Sequence, residues 1–170
     1  MTESLLNFAL VPDASFQDLL DSYQQSFVDN LGGDFTLFGA SAHHITVCQV
    51  RTDQEAAKDF FSTLAPHQLQ DSVNLSGLTF LPSSSGSTWV EISVLKSKVL
   101  SELQDAIVDR FGSNNIQNDI GDLYRPHLTL GKYKTTNAFD ISLPYQELRA
   151  GNLGCKLRVG TNTHFEEIVI

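Results

Sequence analysis

His44-Ile45-Thr46-Val47 and His127-Leu128-Thr129-Leu130 repeat one pattern, histidine, apolar, threonine, apolar, about half of the 170-residue chain apart. Successive side chains on a strand alternate between its faces, so each histidine stands beside its threonine while the apolar pair turns to the core. Each tetrapeptide then presents one imidazole and one hydroxyl. A histidine followed two positions later by Ser or Thr is a cheap coincidence. Requiring threonine and both apolar neighbours lowers the chance to roughly one in a hundred per histidine, so two matches among five histidines arise in about one chain in a thousand.

The surrounding sequence supplies strands to carry the motifs and helices to cover them. Leu5 to Val11 reads as a first strand, ended by Pro12-Asp13, and Ser15 can cap a helix running to about Asn30 with Phe16, Leu19, Leu20, Tyr23 and Phe27 on one face. Leu31 to Ala42 reads as a loop, His44 to Arg51 as a strand, and Asp53 to Leu64 as a second helix. Asn74 to Leu81 and Thr88 to Leu95, joined by Pro82-Ser83-Ser84-Ser85-Gly86-Ser87, read as a long hairpin. Val90, Ile92 and Val94 mark one face of its second strand, and Trp89, Glu91 and Ser93 the other. Lys98 to Phe111 is a third amphipathic helix with Gly112 as its C-cap, and Ser113 to Asp122 a polar loop. His127 to Tyr133, Lys156 to Val159 and Phe165 to Ile170 complete the strands, while the region from Lys134 to Asn152 carries no clear pattern. This order, with turns suited to antiparallel pairing, indicates an α+β fold in one domain covering residues 1–170, with a weak internal repeat of helix, glycine-containing loop and histidine-opened strand.

Composition narrows the function. Twenty acidic residues against 11 basic ones leave a net charge of −9, which opposes general binding of long nucleic acids and favours a short phosphate-bearing ligand. Cys48 and Cys155 form no CxxC pair and are expected as packed free thiols. No apolar run reaches the roughly 18–20 residues of a membrane span, and Met1-Thr2-Glu3-Ser4 lacks a basic signal start, so the expected location is the cytoplasm. His43 points to the strand face opposite His44, and His67 and His164 lack metal-ligand spacing; all three are expected to be structural or solvated. There is no GxxxxGK, no GxGxxG after a strand and no GxSxG.

Cleaving a phosphodiester requires a base for the attacking oxygen and an acid for the leaving one, roles a pair of histidines can fill near neutral pH. Threonine hydroxyls can hold the non-bridging oxygens between them without a metal. On the two tetrapeptides, and on Arg125-Pro126 before the second, the chain resembles the 2H phosphoesterases. The resemblance implies a bilobed α+β domain in which two antiparallel sheets face a central cleft with pseudo-twofold symmetry, helices outside. It also implies His44 and His127 as catalytic residues and Thr46 and Thr129 as phosphate-binding residues, with no cofactor. The expected substrate is a 2',3'-cyclic phosphate or a related cyclic nucleotide or RNA-end phosphodiester. The alternatives are 2',5'-oligoadenylate cleavage and a non-catalytic nucleotide-binding module of the same fold. Arg125, Trp89, Tyr124 and Phe38 are further candidates for substrate binding, Arg125 by its parity with His127 and the aromatics by stacking on a base. The expected partner is a small nucleotide or short oligonucleotide, with no membrane and a monomeric chain.

Overall fold

The computed structural model describes residues 3–31, 33–35, 42–134, 152–161 and 165–168. In chain order these form β1 (Ser4–Pro12), α1 (Ala14–Leu31), β2 (Gly33–Phe35), β3 (Ile45–Thr52), α2 (Gln54–Thr63), β4 (Gln70–Pro82), β5 (Thr88–Val94), α3 (Lys98–Phe111), β6 (His127–Tyr133) and β7 (Asn152–Thr161). The helix ends follow local chemistry. Asp53 accepts the Ala56 amide at 2.8 Å to start α2, Ser97 accepts the Leu100 amide at 3.0 Å to start α3, and Gly112 at φ 80° closes α3. The first helix begins before the expected Ser15, with the Asp13 carbonyl accepting from the Phe16 and Gln17 amides.

The strands lie in the order β2-β6-β3-β1-β7-β4-β5, and β5 also pairs with β6, so six of the seven close into a ring with β2 as a spur on β6. Every pairing between them is antiparallel. The α+β class is borne out, and the strands expected as two sheets run on into one continuous sheet. The seam is narrow: β3 and β6 share the single register pair Ile45 and Leu128.

One face of this sheet is apolar and packs under the helices. Phe8, Leu10, Ile45, Val47, Val90, Ile92, Leu128, Leu130 and Leu157 meet Leu20, Tyr23 and Phe27 of α1 and Leu100, Leu103 and Ile107 of α3 in one buried cluster. Phe8 contacts Phe60 of α2 edge-on at 5.7 Å, and Phe27 of α1 lies 5.3 Å from Tyr133. Burial of this apolar area is the main favourable term for the fold. Both cysteines are buried thiols outside any disulfide, and burial pushes the Cys48 thiol up to about 12, so it is inert at neutral pH.

Two irregularities tune the other face. Phe8 pairs with Cys48 and Ala9 with Thr46, so Val47 is an extra residue on β3. Glu91 pairs with Thr129 and Val90 with Gly131, so Leu130 is an extra residue on β6, where Gly131 adopts φ 138°, a conformation that favours glycine. The second bulge sets Lys132 on the same face as His127 and Thr129, opposite Trp89.

The long closing strand β7 extends the expected Lys156 to Val159 at both ends. In place of the strand expected at Phe165 to Ile170, the described residues 165–168 fold back as a return held by one bridge, Gly160 to Glu167. A short strand, β2, occupies part of the expected loop at Leu31 to Ala42. Phe38, His164 and residues 135–151 lie outside the described residues.

Candidate active site

The two motifs meet at the narrow seam of the ring. Ile45 pairs with Leu128 on antiparallel strands, so the residues flanking that pair, His44 and Thr46 on one side and His127 and Thr129 on the other, are brought to the same seam. The two imidazoles are near enough that the charge of His127 acts on His44.

The backbone on both sides is fastened from the core in the same manner. The Tyr124 hydroxyl donates to the Thr46 carbonyl at 2.7 Å, and Nδ1 of His43 lies 3.2 Å from the Thr129 carbonyl. His43 is fully buried, its Nε2 lies 3.0 Å from the Asp21 carboxylate on α1, and its backbone is gripped by the Gln17 side chain through bonds of 2.7 and 2.8 Å. Burial lowers the His43 pKa, with the Thr129 carbonyl and Asp21 opposing it. The expectation that His43 is structural agrees with these contacts.

The catalytic candidates also share their anchoring. Nδ1 of His44 lies 2.8 Å from the Ala42 carbonyl, and Nδ1 of His127 lies 2.9 Å from the Arg125 carbonyl, in each case two residues back. A carbonyl can only accept, so both Nδ1 atoms carry hydrogen and both Nε2 atoms are left for other work. There the symmetry ends. Nε2 of His44 lies 3.2 Å from the side-chain amide nitrogen of Asn7, which also donates to the Thr46 hydroxyl at 3.1 Å. Nε2 of His127 lies 3.5 Å from the Glu91 carboxylate. A donor facing Nε2 suits the neutral imidazole of His44, whereas His127 turns its Nε2 toward a carboxylate.

Burial lowers the His44 pKa from 6.5 to about 4, with smaller contributions from the charges of His43 and His127 and an opposing one from the Ala42 carbonyl. The Phe165 ring stacks on its imidazole with centroids 4.6 Å apart. An aromatic face attracts a cation by about 0.5–2 kcal/mol, but withdrawing a charge from water costs more, so the net effect of this cover is to disfavour the imidazolium.

Glu91 is only 6% exposed and sits between two basic groups: besides His127, Arg125 places Nη2 2.9 Å from its other oxygen. That oxygen accepts no well-directed hydrogen bond, so the contact is an ion pair in character. Arg125 thus reaches the neighbourhood of His127 through Glu91, with its side chain half exposed. Trp89 is half-buried with Lys132 Nζ 5.7 Å from its ring centroid. Tyr124, expected as a stacking candidate, is instead buried against the core side of β3, where its hydroxyl bond to Thr46 makes it a support. Among the described residues no three His, Cys, Asp or Glu side chains gather as metal ligands.

Sequence reasoning gave no role to Asn7, Glu91, Lys132 or Phe165. Asn7 had a signal, being the one polar residue inside Leu5 to Val11, and Glu91 shares parity with Trp89. Lys132 had none, because the bulge that re-aims it is invisible in the alternation.

No protein-family model and no curated protein sequence matches the chain. Solved structures do. The fold is similar to E. coli LigT complexed with 3'-AMP, at TM-score 0.62 and 13% identity over 98% of this chain and 96% of that one. It is also similar to Kluyveromyces marxianus Usb1, at TM-score 0.56 and 12% identity over 98% and 97%. A third similar structure is described as a phosphoesterase, at TM-score 0.62 and 10% identity over 98% and 96%. The chain has the fold of these structures. Within that fold its two motifs occupy the seam strands. Among the described residues no helix is long and apolar enough to cross a membrane.

Proposed function

We propose that this chain is a metal-independent phosphodiesterase hydrolysing a 2',3'-cyclic phosphate or a related cyclic nucleotide or RNA-end phosphodiester. The observation that carries this reading is the contrast at the two Nε2 atoms, a donor from Asn7 at His44 and an acceptor from Glu91 at His127, on motifs otherwise anchored alike. One seam thus holds a group suited to act as base and a group suited to act as acid, which is what a single in-line displacement needs. That the similar LigT structure holds 3'-AMP, a nucleoside monophosphate, supports a nucleotide ligand.

In this reading Nε2 of His44 takes a proton from water, and the water oxygen attacks phosphorus. As the bond to the ribose oxygen breaks, Nε2 of His127 delivers the proton that the leaving oxygen needs. Thr46, whose oxygen accepts from Asn7, keeps its own proton for a non-bridging phosphate oxygen, and Thr129 serves the other side. Lys132, Lys156 and Arg158 share the inner face by register with Glu91, and these positive groups on an acidic chain suit a short anionic substrate.

The test is a panel of 2',3'-cyclic nucleotides, ADP-ribose cyclic phosphate and 2',5'-linked adenylates, assayed with and without a chelator and with products identified by mass spectrometry. Ring opening of a cyclic phosphate in chelator is expected. Binding without product from any substrate would refute catalysis, and cleavage of only the 2',5'-linked adenylates would reassign the substrate.

A further inference from the structure

Beyond β7 the described residues 165–168 run antiparallel to it and open with a ring stacked on the imidazole of His44. Three features build that contact. The return is pinned to β7 by backbone bonds from the Thr161 amide to the Glu166 carbonyl at 3.0 Å and from the Ile168 amide to the Val159 carbonyl at 2.8 Å, and by the ion pair between Arg158 and Glu167 at 3.0 Å. Gly160 leaves room for the ring, since a Cβ there would lie 2.8 Å from Cδ2 of Phe165. Phe165 itself adopts φ 40°, a left-handed conformation a bulky residue rarely takes unless its surroundings impose it. The outcome is a ring 1% exposed, stacked on His44 at an interplanar angle of 26°.

Gly160 pairs with Asn7 across β1 and β7, so the ring lies over the strand position that supplies the donor to His44. His44 is therefore held on three sides. Ala42 takes Nδ1, Asn7 faces Nε2, and Phe165 covers a face of the ring.

We propose that Phe165 is a positioning residue for His44, sealing one face of the imidazole from water and fixing its plane so that the Nε2 lone pair is kept ready at the seam. The proposal rests on His44 being the base in the function proposed above, and it adds a residue that neither motif contains. A ring free to turn about its Cβ–Cγ bond would lose the Asn7 contact, and one open to solvent would gain a proton more readily. Among the described residues the charged and titratable groups acting on His44 are His43 beside it and His127 from β6, with Glu91 from β5 acting through His127, while β7 and its return carry the ion pair of Arg158 with Glu167. None of these is removed by changing Phe165.

The experiment is NMR titration of the His44 ring in the wild-type chain and in Phe165→Ala, Phe165→Leu and Gly160→Ala, with the pH dependence of kcat/KM measured alongside. Phe165→Ala should raise the His44 midpoint by about one pH unit or more and move the acid limb of the rate profile by the same amount. Gly160→Ala, which keeps the ring but crowds its seat, should shift both in the same direction. Phe165→Leu preserves apolar cover and should shift them least, which keeps the test informative if the alanine variant folds poorly. A midpoint unchanged in folded Gly160→Ala and Phe165→Leu, together with an unchanged rate profile, would overturn the proposal, as would equal shifts in all three. A midpoint that moves in a chain with no activity toward any substrate would instead uphold the contact and refute the catalytic reading.

Discussion

Asn7 of β1 offers its side-chain amide to Nε2 of His44 at 3.2 Å, and the same nitrogen reaches the hydroxyl of Thr46 at 3.1 Å. One neutral donor thereby links both members of the first motif, and among the described residues its own carbonyl oxygen is buried with no partner. Leaving a buried acceptor unpaired costs about 1–3 kcal/mol, so the side chain is held for its donor and not for its contribution to stability.

Replacing that donor should show which property matters. Asn7→Ala should lower kcat/KM about 10-fold by releasing Thr46 and the imidazole, in line with losing one oriented hydrogen bond. Asn7→Asp should be worse, about 100-fold or more, because a carboxylate at Nε2 stabilises the imidazolium and repels phosphate. Steady-state rates on the best substrate of the panel would check the order. An aspartate variant as active as wild type would remove Asn7 from the site.

The lowered His44 pKa makes a second prediction, about stability. The folded value of about 4 lies below the ordinary 6.5, so as pH falls the unfolded chain takes up its proton first. The stabilisation is fully present above about pH 6.5 and is lost as pH falls toward about 4, by about 3 kcal/mol for this group. Burial lowers the His43 pKa as well, so His43 acts in the same direction. Urea midpoints should fall between pH 7 and 4.5, and the fall should be smaller in His44→Gln. An equal fall in that variant would locate the effect elsewhere.

Thr46→Val and Thr129→Val keep the shape of the strand and delete one hydroxyl each. Both carbonyls, fastened by Tyr124 and His43, are unaffected, so folding should change little. Each variant should be slower by about 10-fold to 1,000-fold, in line with losing a transition-state hydrogen bond. A fully active variant would make that threonine structural.

How much of this was legible in the sequence follows from the range of each signal. Lys98–Phe111 and His127–Tyr133 have the bounds that their periodicity and, for the helix, the flanking Gly112 indicate, because caps and alternation are local. The meeting of the two motifs at the pair of Ile45 and Leu128 was not legible, since it depends on a register between strands far apart in the chain. Lys132 needed the extra residue Leu130, and Phe165 needed the bridge between Gly160 and Glu167 that sets it over Gly160. Tyr124 misled because a tyrosine flanking a motif serves equally well as a ligand platform or a prop, and only its bond to the Thr46 carbonyl decides between them.

The opposed surroundings of the two histidines bear on how their losses combine. A base and an acid serving one displacement do not contribute independently, since removing either leaves the other with little to do. His44→Ala and His127→Ala should each abolish nearly all turnover, and the double variant should be scarcely slower than the weaker single one. The asymmetry adds a further expectation. A profile that rises with deprotonation of His44 and falls with deprotonation of His127 should be a bell in the intact chain, and each single variant should lose the limb belonging to its missing group. Residual rates measured against pH in all three variants, with circular dichroism to confirm folding, would test both parts. Losses that multiply would assign the histidines separate tasks, one chemical and one of binding, and loss of the same limb in both variants would refute the division of acid and base between them.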